Sequence, residues 1–502
     1  MSSASLDRDA SEEHVVNEFG YRQELRRTLR LFSVFAVAFS IISITTGIFL
    51  NYSFAYSQLG PVSIWTWPVA AVGQTLVVLV LAELATRIPL AGANYQWASR
   101  LVSPTYGWFV GALGVLNLSV GLPGIMLLAA SPLLAFVLGN DAPSPRLTLF
   151  LALLILTIAY LVNVISVQVA ARVNNVAVFT EILGTVVLAV ALFVLWVADY
   201  KPTDHGIGYL GQAMHPPGQS YLYSIVLASL LGIYTIVAFE TAADMSEEAV
   251  DAQRSVPRAM IGAVVISAVL GMIVLIGFTI AIPNDAVIAE FGLPGVFQYW
   301  IGSGLARTFI GIVVFSMFAL TVVGAAASAR LLYAMARDNM LPGSKALARV
   351  NPRTLTPLPA LLASYLLCVA VMIYGYASGN AFGTLVAATA LAPYLVYLLT
   401  VLAYGVKRRR LETLPGAFNL GRFAVPVFVA ALVWLVAAVL ALSLPSEFHQ
   451  AVYYVAGGLV LAALWWLIVL RPRFANGTAG ATMVRDAPAP HTTAGSAGPT
   501  GR

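Results

Sequence analysis

Apolar residues run in long blocks along this chain, and a window of about 19 residues resolves about twelve of them, each long enough to cross a bilayer core of about 30 Å as a helix. They are Leu31 to Ser57, Val62 to Ala85, Tyr106 to Leu138, Leu147 to Ser166, Val176 to Val197, Tyr221 to Met245, Ala259 to Ile282, Thr308 to Leu332, Pro359 to Tyr376, Phe382 to Val406, Phe423 to Leu444 and Val452 to Leu470. Only the polar stretch Gln168 to Asn175 separates the fourth from the fifth. The pattern predicts an all-α membrane domain of about 12 transmembrane helices over residues 31–470.

Two blocks are interrupted at depth. The first carries Ser43-Ile44-Thr45-Thr46-Gly47 and the sixth carries Phe239-Glu240-Thr241-Ala242-Ala243-Asp244. Lipid cannot satisfy the backbone groups that such breaks expose, so they survive only where protein or a water-filled cavity covers them. Paired breaks in two halves of a chain mark a substrate site at the midplane of a secondary transporter. At the first break, Thr45 and Thr46 offer hydroxyls and Gly47 tolerates unusual backbone angles. An unwound turn there would aim the N–H groups and positive dipole end of the following half-helix at an anion such as a carboxylate. At the second, Tyr234 and Phe239 would cover a bound cation or amine, with ordinary packing as the alternative. An unbroken helix from Tyr221 would carry Glu240 about 28 Å along its axis, so a midplane Glu240 requires the span to be unwound.

Composition narrows the class. With 60% hydrophobic and 10% charged residues the chain is too apolar for a soluble domain. A single cysteine, Cys368, excludes an intrachain disulfide, and His14, His205, His215, His449 and His491 fall in tails or predicted loops. No intramembrane cluster is left to hold a metal, and no cofactor is expected. An enzyme would need a convergent nucleophile-base or metal set, which the pattern lacks. Among the odd-numbered connections only Arg146, Lys201 and Arg307 are basic, leaving 24 of the 27 Lys and Arg in the tails and even connections. That asymmetry predicts both termini in the cytoplasm, and the expected location is the cytoplasmic membrane. The charged segment 1–30 reads as a retained tail without a cleavage site, and 471–502, rich in Ala, Gly, Thr and Pro, as disordered. Lys407-Arg408-Arg409-Arg410 reads as a stop at the end of the tenth block. The net charge of +5 comes from scattered loop residues and points away from nucleic acid.

Ionisable residues within the blocks are few, and each should face a cavity or a partner. Glu83 and Arg87 are one turn apart, a spacing that suits a structural or gate-forming pair. Asp244, Glu247 and Glu248, followed by Arg254 and Arg258, would form an inner-gate network or a solvated loop. A desolvated carboxyl at Glu181 would be suited to proton exchange.

Four segments carry a resemblance. The run Ile44-Thr45-Thr46-Gly47-Ile48-Phe49 is similar to the Gly-Ser-Gly-type first-helix motif of the amino acid-polyamine-organocation (APC) superfamily. Ala82-Glu83-Leu84-Ala85-Thr86-Arg87-Ile88-Pro89 with Gly92 and Tyr95 resembles its junction of second and third helices. Phe239 to Glu248, leading to Arg254 and Pro257-Arg258, resembles the sixth helix and inner loop of its amino acid/choline branch. Ser328 to Asp338 with Leu341-Pro342 resembles the end of its eighth helix. The order and extent of these segments make the set specific where any one would be weak.

The resemblance implies a five-plus-five inverted repeat, the leucine-transporter-like fold, with two additional C-terminal helices. It places Ile44, Thr45, Thr46, Gly47 and Ile48 around a substrate carboxylate, Tyr234, Ala238 and Phe239 around its amine, and Glu240 just inside the site. It implies alternating-access transport of an amino acid or related small amine, with choline, a polyamine or gamma-aminobutyrate as alternatives and a transporter-like membrane sensor as a different class. Glu181 falls where some proton-coupled relatives carry a Lys that substitutes for sodium. Three readings stay open: Glu181 exchanges a proton, it binds sodium with carbonyls near Ser43 and a hydroxyl such as Ser328, or it is a satisfied structural group. The expected partners are the substrate and the lipid bilayer, and the oligomeric state is not encoded.

Overall fold

The computed structural model describes residues 16–133, 139, 144–377, 381–408 and 417–481. The last residues of the third block, Arg409 and Arg410 of the basic run, residues 1–15 and residues 482–502 of the expected disordered tail lie outside the described residues. Among the described residues, eleven helices are long and apolar enough to cross a membrane. A shorter apolar helix, Tyr221–Thr235, stands at the sixth block.

In chain order, the first block is α1 (Leu31–Ile42) and α2 (Ile44–Leu59). The second is α3 (Thr66–Arg87), followed by the short buried α4 (Ala93–Leu101). Then come α5 (Pro104–Pro132), α6 (Pro145–Ile165) and α7 (Val167–Val197). The sixth block is α8 (Tyr221–Thr235) and α9 (Thr241–Asp244). The rest are α10 (Ala252–Ile280), α11 (Asp285–Arg337), α12 (Leu358–Ala377), α13 (Ala381–Lys407), α14 (Ala424–Ala441) and α15 (His449–Trp465). Serines cap several of these starts. The Ser103, Ser144 and Ser166 side chains accept from the N–H groups of Tyr106, Leu147 and Val169, satisfying donors that the first helical turn leaves orphaned. α11 bends at Gly292 and Gly302, whose φ values of 61° and 73° suit glycine, so the eighth crossing is its second part.

Burial sorts the helices into an inner and an outer set. The α1–α2 window and the α11 window are each 78% buried, while the windows of the last two spans are 22% and 11% buried. The first and eighth spans therefore form the centre, and the last two lie against its side. α10 packs on α3 and α1, α13 on α5, and α11 on α5 and α7. On α6 the exposed Phe150, Leu154, Ile158, Leu161 and Ile165 make one apolar stripe at helical spacing, as lipid contact requires.

The breaks are narrower than the sequence suggests. The first is the single residue Ser43, at φ 39° and ψ 81°; Ile44 to Gly47 already form the first turn of α2. The second spans 236–240, and Thr241 to Asp244 are helical again. Because α8 stops at Thr235, Glu240 stands at the start of α9 instead of 28 Å down an unbroken helix.

Both terminal segments dock on the same end of the bundle. Leu29 pairs with Ala249 in a backbone bridge, and Tyr21 donates to Asp338 Oδ1 at 2.5 Å. Residues 471–481 lie against the end of α11: Arg473 Nη1 donates to Asn339 O at 2.8 Å and Gly480 N to Asp338 O at 3.0 Å.

Candidate functional site

The first break is built around a carboxylate from another helix. Glu181 of α7, only 2% exposed, accepts the Thr45 N–H at 3.1 Å and lies 3.0 Å from Ser43 Oγ. Ser43 Oγ is also 2.6 Å from Thr46 Oγ1. A hydroxyl has one proton, so Ser43 Oγ donates to Glu181 Oε1 or to Thr46 Oγ1, one at a time. The Thr46 N–H reaches Ser43 Oγ at 3.4 Å and the Gly47 N–H reaches Ser43 O at 2.9 Å. The N–H groups of Thr45, Thr46 and Gly47, expected to meet a substrate carboxylate, are therefore satisfied by Glu181 and Ser43. The anion at this helix N-terminus, where the dipole favours one, is Glu181 itself.

The second break is held by two tyrosines of α13. The Tyr394 hydroxyl donates to Ile233 O at 2.9 Å, in the last turn of α8 where carbonyls lose their helical partners, and accepts from Gln74 Nε2 at 2.5 Å. Tyr397 accepts the Ala238 N–H at 2.7 Å and donates to Glu240. Ala238 sits at φ 63°, in the left-handed region that a residue with a Cβ seldom adopts. Phe239 stacks on Tyr397 with ring centroids 5.2 Å apart.

Between the breaks lies a cavity of about 80 Å³, lined by Thr46, Gly47, Asn117, Tyr234, Thr235 and Ala238 among others. A second cavity, of about 40 Å³, lies against Asn94, Asn117, Ala238, Glu240 and Asp244. The two share Asn117, Leu118, Ala238 and Pro393 as walls.

The structure thus brings Thr46, Gly47, Tyr234 and Ala238 to one cavity and Glu240 and Asp244 to the other. Four other residues predicted to bind substrate line neither. Ile44 and Ile48 are core residues, Thr45 turns its hydroxyl to Thr185 at 2.8 Å, and Phe239 is fully buried against Tyr397 instead of forming a lid. Gly47 is needed for a reason other than backbone freedom. Its conformation is helical, and a Cβ there would lie 2.2 Å from Thr235 Oγ1, so the glycine lets α2 and α8 approach.

Ser328 does not join Glu181. It accepts from Ser364 at 2.7 Å, and Ser364 in turn meets the Tyr160 hydroxyl at 2.7 Å. The α11 serine that faces Glu181 is Ser316, twelve residues or roughly 18 Å earlier on the helix.

At the end where the terminal segments dock, three ion pairs are buried. Glu83 binds Arg87 and accepts from Tyr404 at 2.8 Å. Glu247 binds Arg337 at 2.9 Å and accepts the Ala91 N–H at 3.0 Å. Glu248 binds Arg330, whose Nε and Nη2 lie at 2.8 and 2.7 Å. Three predicted members are absent from this network. Arg254 and Arg258 are exposed, and Asp244 faces the second cavity.

Sequence reasoning missed Asn94, Asn117, Tyr394 and Tyr397. A polar Asn inside the third block and two tyrosines at i,i+3 in the tenth are the available signals, since polar groups at membrane depth need partners.

A family model described as amino acid permease matches residues 29–469. Among curated proteins, the chain is 28% identical to the amino-acid permease BAT1 of Arabidopsis thaliana, covering 91% of this chain and 95% of that protein. It is 28% identical to the BAT1 homolog of Oryza sativa subsp. japonica, over 91% and 94%. It is 27% identical to the GABA-specific permease of Saccharomyces cerevisiae, over 73% and 66%.

Proposed function

The chain belongs to the amino acid permease family of the APC superfamily, and from that premise we propose that it carries an amino acid across the cytoplasmic membrane by alternating access, with both termini in the cytoplasm. The observation that carries this reading is the cavity between the two helix breaks. It is closed by Gly47 and Thr46 on one side and by Tyr234 and Ala238 on the other. Thr46 Oγ1, Asn117 and Tyr234 supply polar contacts for a substrate head group, and Leu118, Leu122, Ile125 and Leu320 supply apolar walls. In this reading the breaks are counterparts in two inverted halves, and the three ion pairs close the cytoplasmic end while the site faces the other way.

Glu181 is the coupling group. It sits on the N-terminus of α2, so its charge state bears directly on the half-helix that lines the substrate cavity. Protonation would remove the anion from that dipole and loosen the contact of α7 with the first span. Sodium in its place would leave the carboxylate charged. The experiment is uptake of radiolabelled amino acids by proteoliposomes, with recovery of the label unchanged. A sensor would bind without accumulating, and an enzyme would alter the label.

A further inference from the structure

Within this permease reading, on which the inference rests, we propose that the second cavity is a subsite for a distal ammonium group. The transported class is then amino acids whose amine stands several carbons from the carboxylate: diamino acids or ω-amino acids.

The argument begins with what the cavity lacks. None of the described residues lining it is a Lys, Arg or His, yet two carboxylates one helical turn apart, Glu240 and Asp244, face into it. Among the described residues, no hydrogen bond or ion pair within 4 Å reaches the Asp244 carboxylate. The cation whose field does reach it, Arg330, is held through Nε and Nη2 by Glu248. Glu240 has one oxygen occupied by Tyr397. Tyr95, on the same wall, gives its proton to Asp338 at 2.6 Å, so it does not neutralise the cavity either. Two carboxylates in such a place cost heavily without a counter-charge.

The independent observation is Asn94. It is 7% exposed and lines this cavity, and its Oδ1 has no hydrogen-bond partner among the described residues. An orphaned buried acceptor calls for a donor. An ammonium presents three N–H donors and no acceptor; the Glu240 and Asp244 carboxylates offer it acceptors, and the unpartnered Asn94 Oδ1 belongs to a residue of the same cavity wall. The shared walls at Asn117 and Ala238 put the head-group cavity next to the ammonium subsite.

The test compares uptake of lysine, norleucine, gamma-aminobutyrate and alanine by proteoliposomes, because lysine and norleucine share a backbone and differ at the terminal ammonium. The expected result is a KM at least tenfold lower for lysine than for norleucine, or for gamma-aminobutyrate than for alanine. The first outcome assigns diamino acids and the second ω-amino acids. Asp244→Asn should shrink that ratio at least fivefold and Asp244→Glu should restore part of it. Asn94→Leu gives the same readout should Asp244→Asn fail to fold. Equal KM values for lysine and norleucine and for gamma-aminobutyrate and alanine, or a ratio unmoved in both Asp244→Asn and Asn94→Leu, would overturn the subsite while leaving the permease reading intact. No uptake of any of the four would overturn the permease reading and the subsite with it.

Discussion

Glu181 Oε1 accepts the backbone N–H of Thr45 at 3.1 Å, so the anion at the start of the second half of the broken first span comes from α7. The two helices are tied at the residue where the span is weakest. In the proposed reading, a change in the charge of Glu181 acts on the cavity between the breaks through that hydrogen bond and the Ser43 hydroxyl beside it.

Replacing Glu181 by Gln keeps the shape and removes the charge. Uptake driven by an imposed proton gradient without sodium should disappear in Glu181→Gln, while exchange of labelled for unlabelled substrate persists. Fluorescent pH dye and label, followed in the same vesicles, check this. Sodium-dependent uptake at constant pH, or an unaltered gradient response in the variant, would remove proton exchange at Glu181 from the mechanism.

Gly47 faces Thr235, and the Cβ of an alanine would lie 2.2 Å from Thr235 Oγ1 and 2.3 Å from Cγ2. Overpacking of this kind costs about 1 to 3 kcal/mol. Gly47→Ala should lower the melting temperature of the purified protein. Thr235→Ala in the same chain should recover part of the loss, because it removes the two nearest atoms. A melting temperature unchanged in the single variant would show that α2 and α8 do not approach this closely.

Two features of the site are legible in the sequence and two are not. Polar residues at Ser43 to Gly47 and at Phe239 to Asp244 stand out because lipid forbids them without cover, and both stretches do flank the cavities. Glu181 stood out for the same reason. Which way each side chain turns was hidden: Thr45 and Thr46 are adjacent, yet only Thr46 reaches the cavity, because helical neighbours point about 100° apart. Tyr394 and Tyr397 were hidden as well, since a tyrosine in an apolar block reads as packing until its hydroxyl is seen on Ile233 O and Ala238 N. Among the described residues, eleven helices of spanning length and the shorter Tyr221–Thr235 stand at the twelve blocks that block length marks out. The exact place where a helix stops does not follow from block length, because that depends on partners from distant segments.

Tyr397→Phe retains the stack on Phe239 but strips the hydroxyl that ties Ala238 N–H to Glu240. The orphaned N–H at a strained backbone costs about 1 to 3 kcal/mol. The variant should be less stable than the parent by thermal unfolding and should show raised hydrogen exchange at residues 236–240. Exchange equal to the parent's would mean that the tyrosine does not hold the break.

Arg330 and Glu248 test the closed end. Arg330→Met leaves a buried carboxylate unpaired and should destabilise the protein by about 3 to 5 kcal/mol. Arg330→Met with Glu248→Leu should restore most of it. Thermal unfolding of the purified variants decides this, and a double variant no more stable than the single one would contradict the pairing.

The most direct measurement of the central claim is counterflow: proteoliposomes preloaded with a millimolar amino acid mixture and diluted into trace labelled amino acid. A carrier with one site exposed alternately to the two sides should accumulate label transiently above the external concentration. That overshoot should collapse in Gly47→Leu, whose side chain would displace Thr235 and crowd the cavity that both share with Thr46, Tyr234 and Ala238. Label that only equilibrates in the parent protein, or an overshoot of full size in Gly47→Leu, would contradict an amino-acid site between the two breaks.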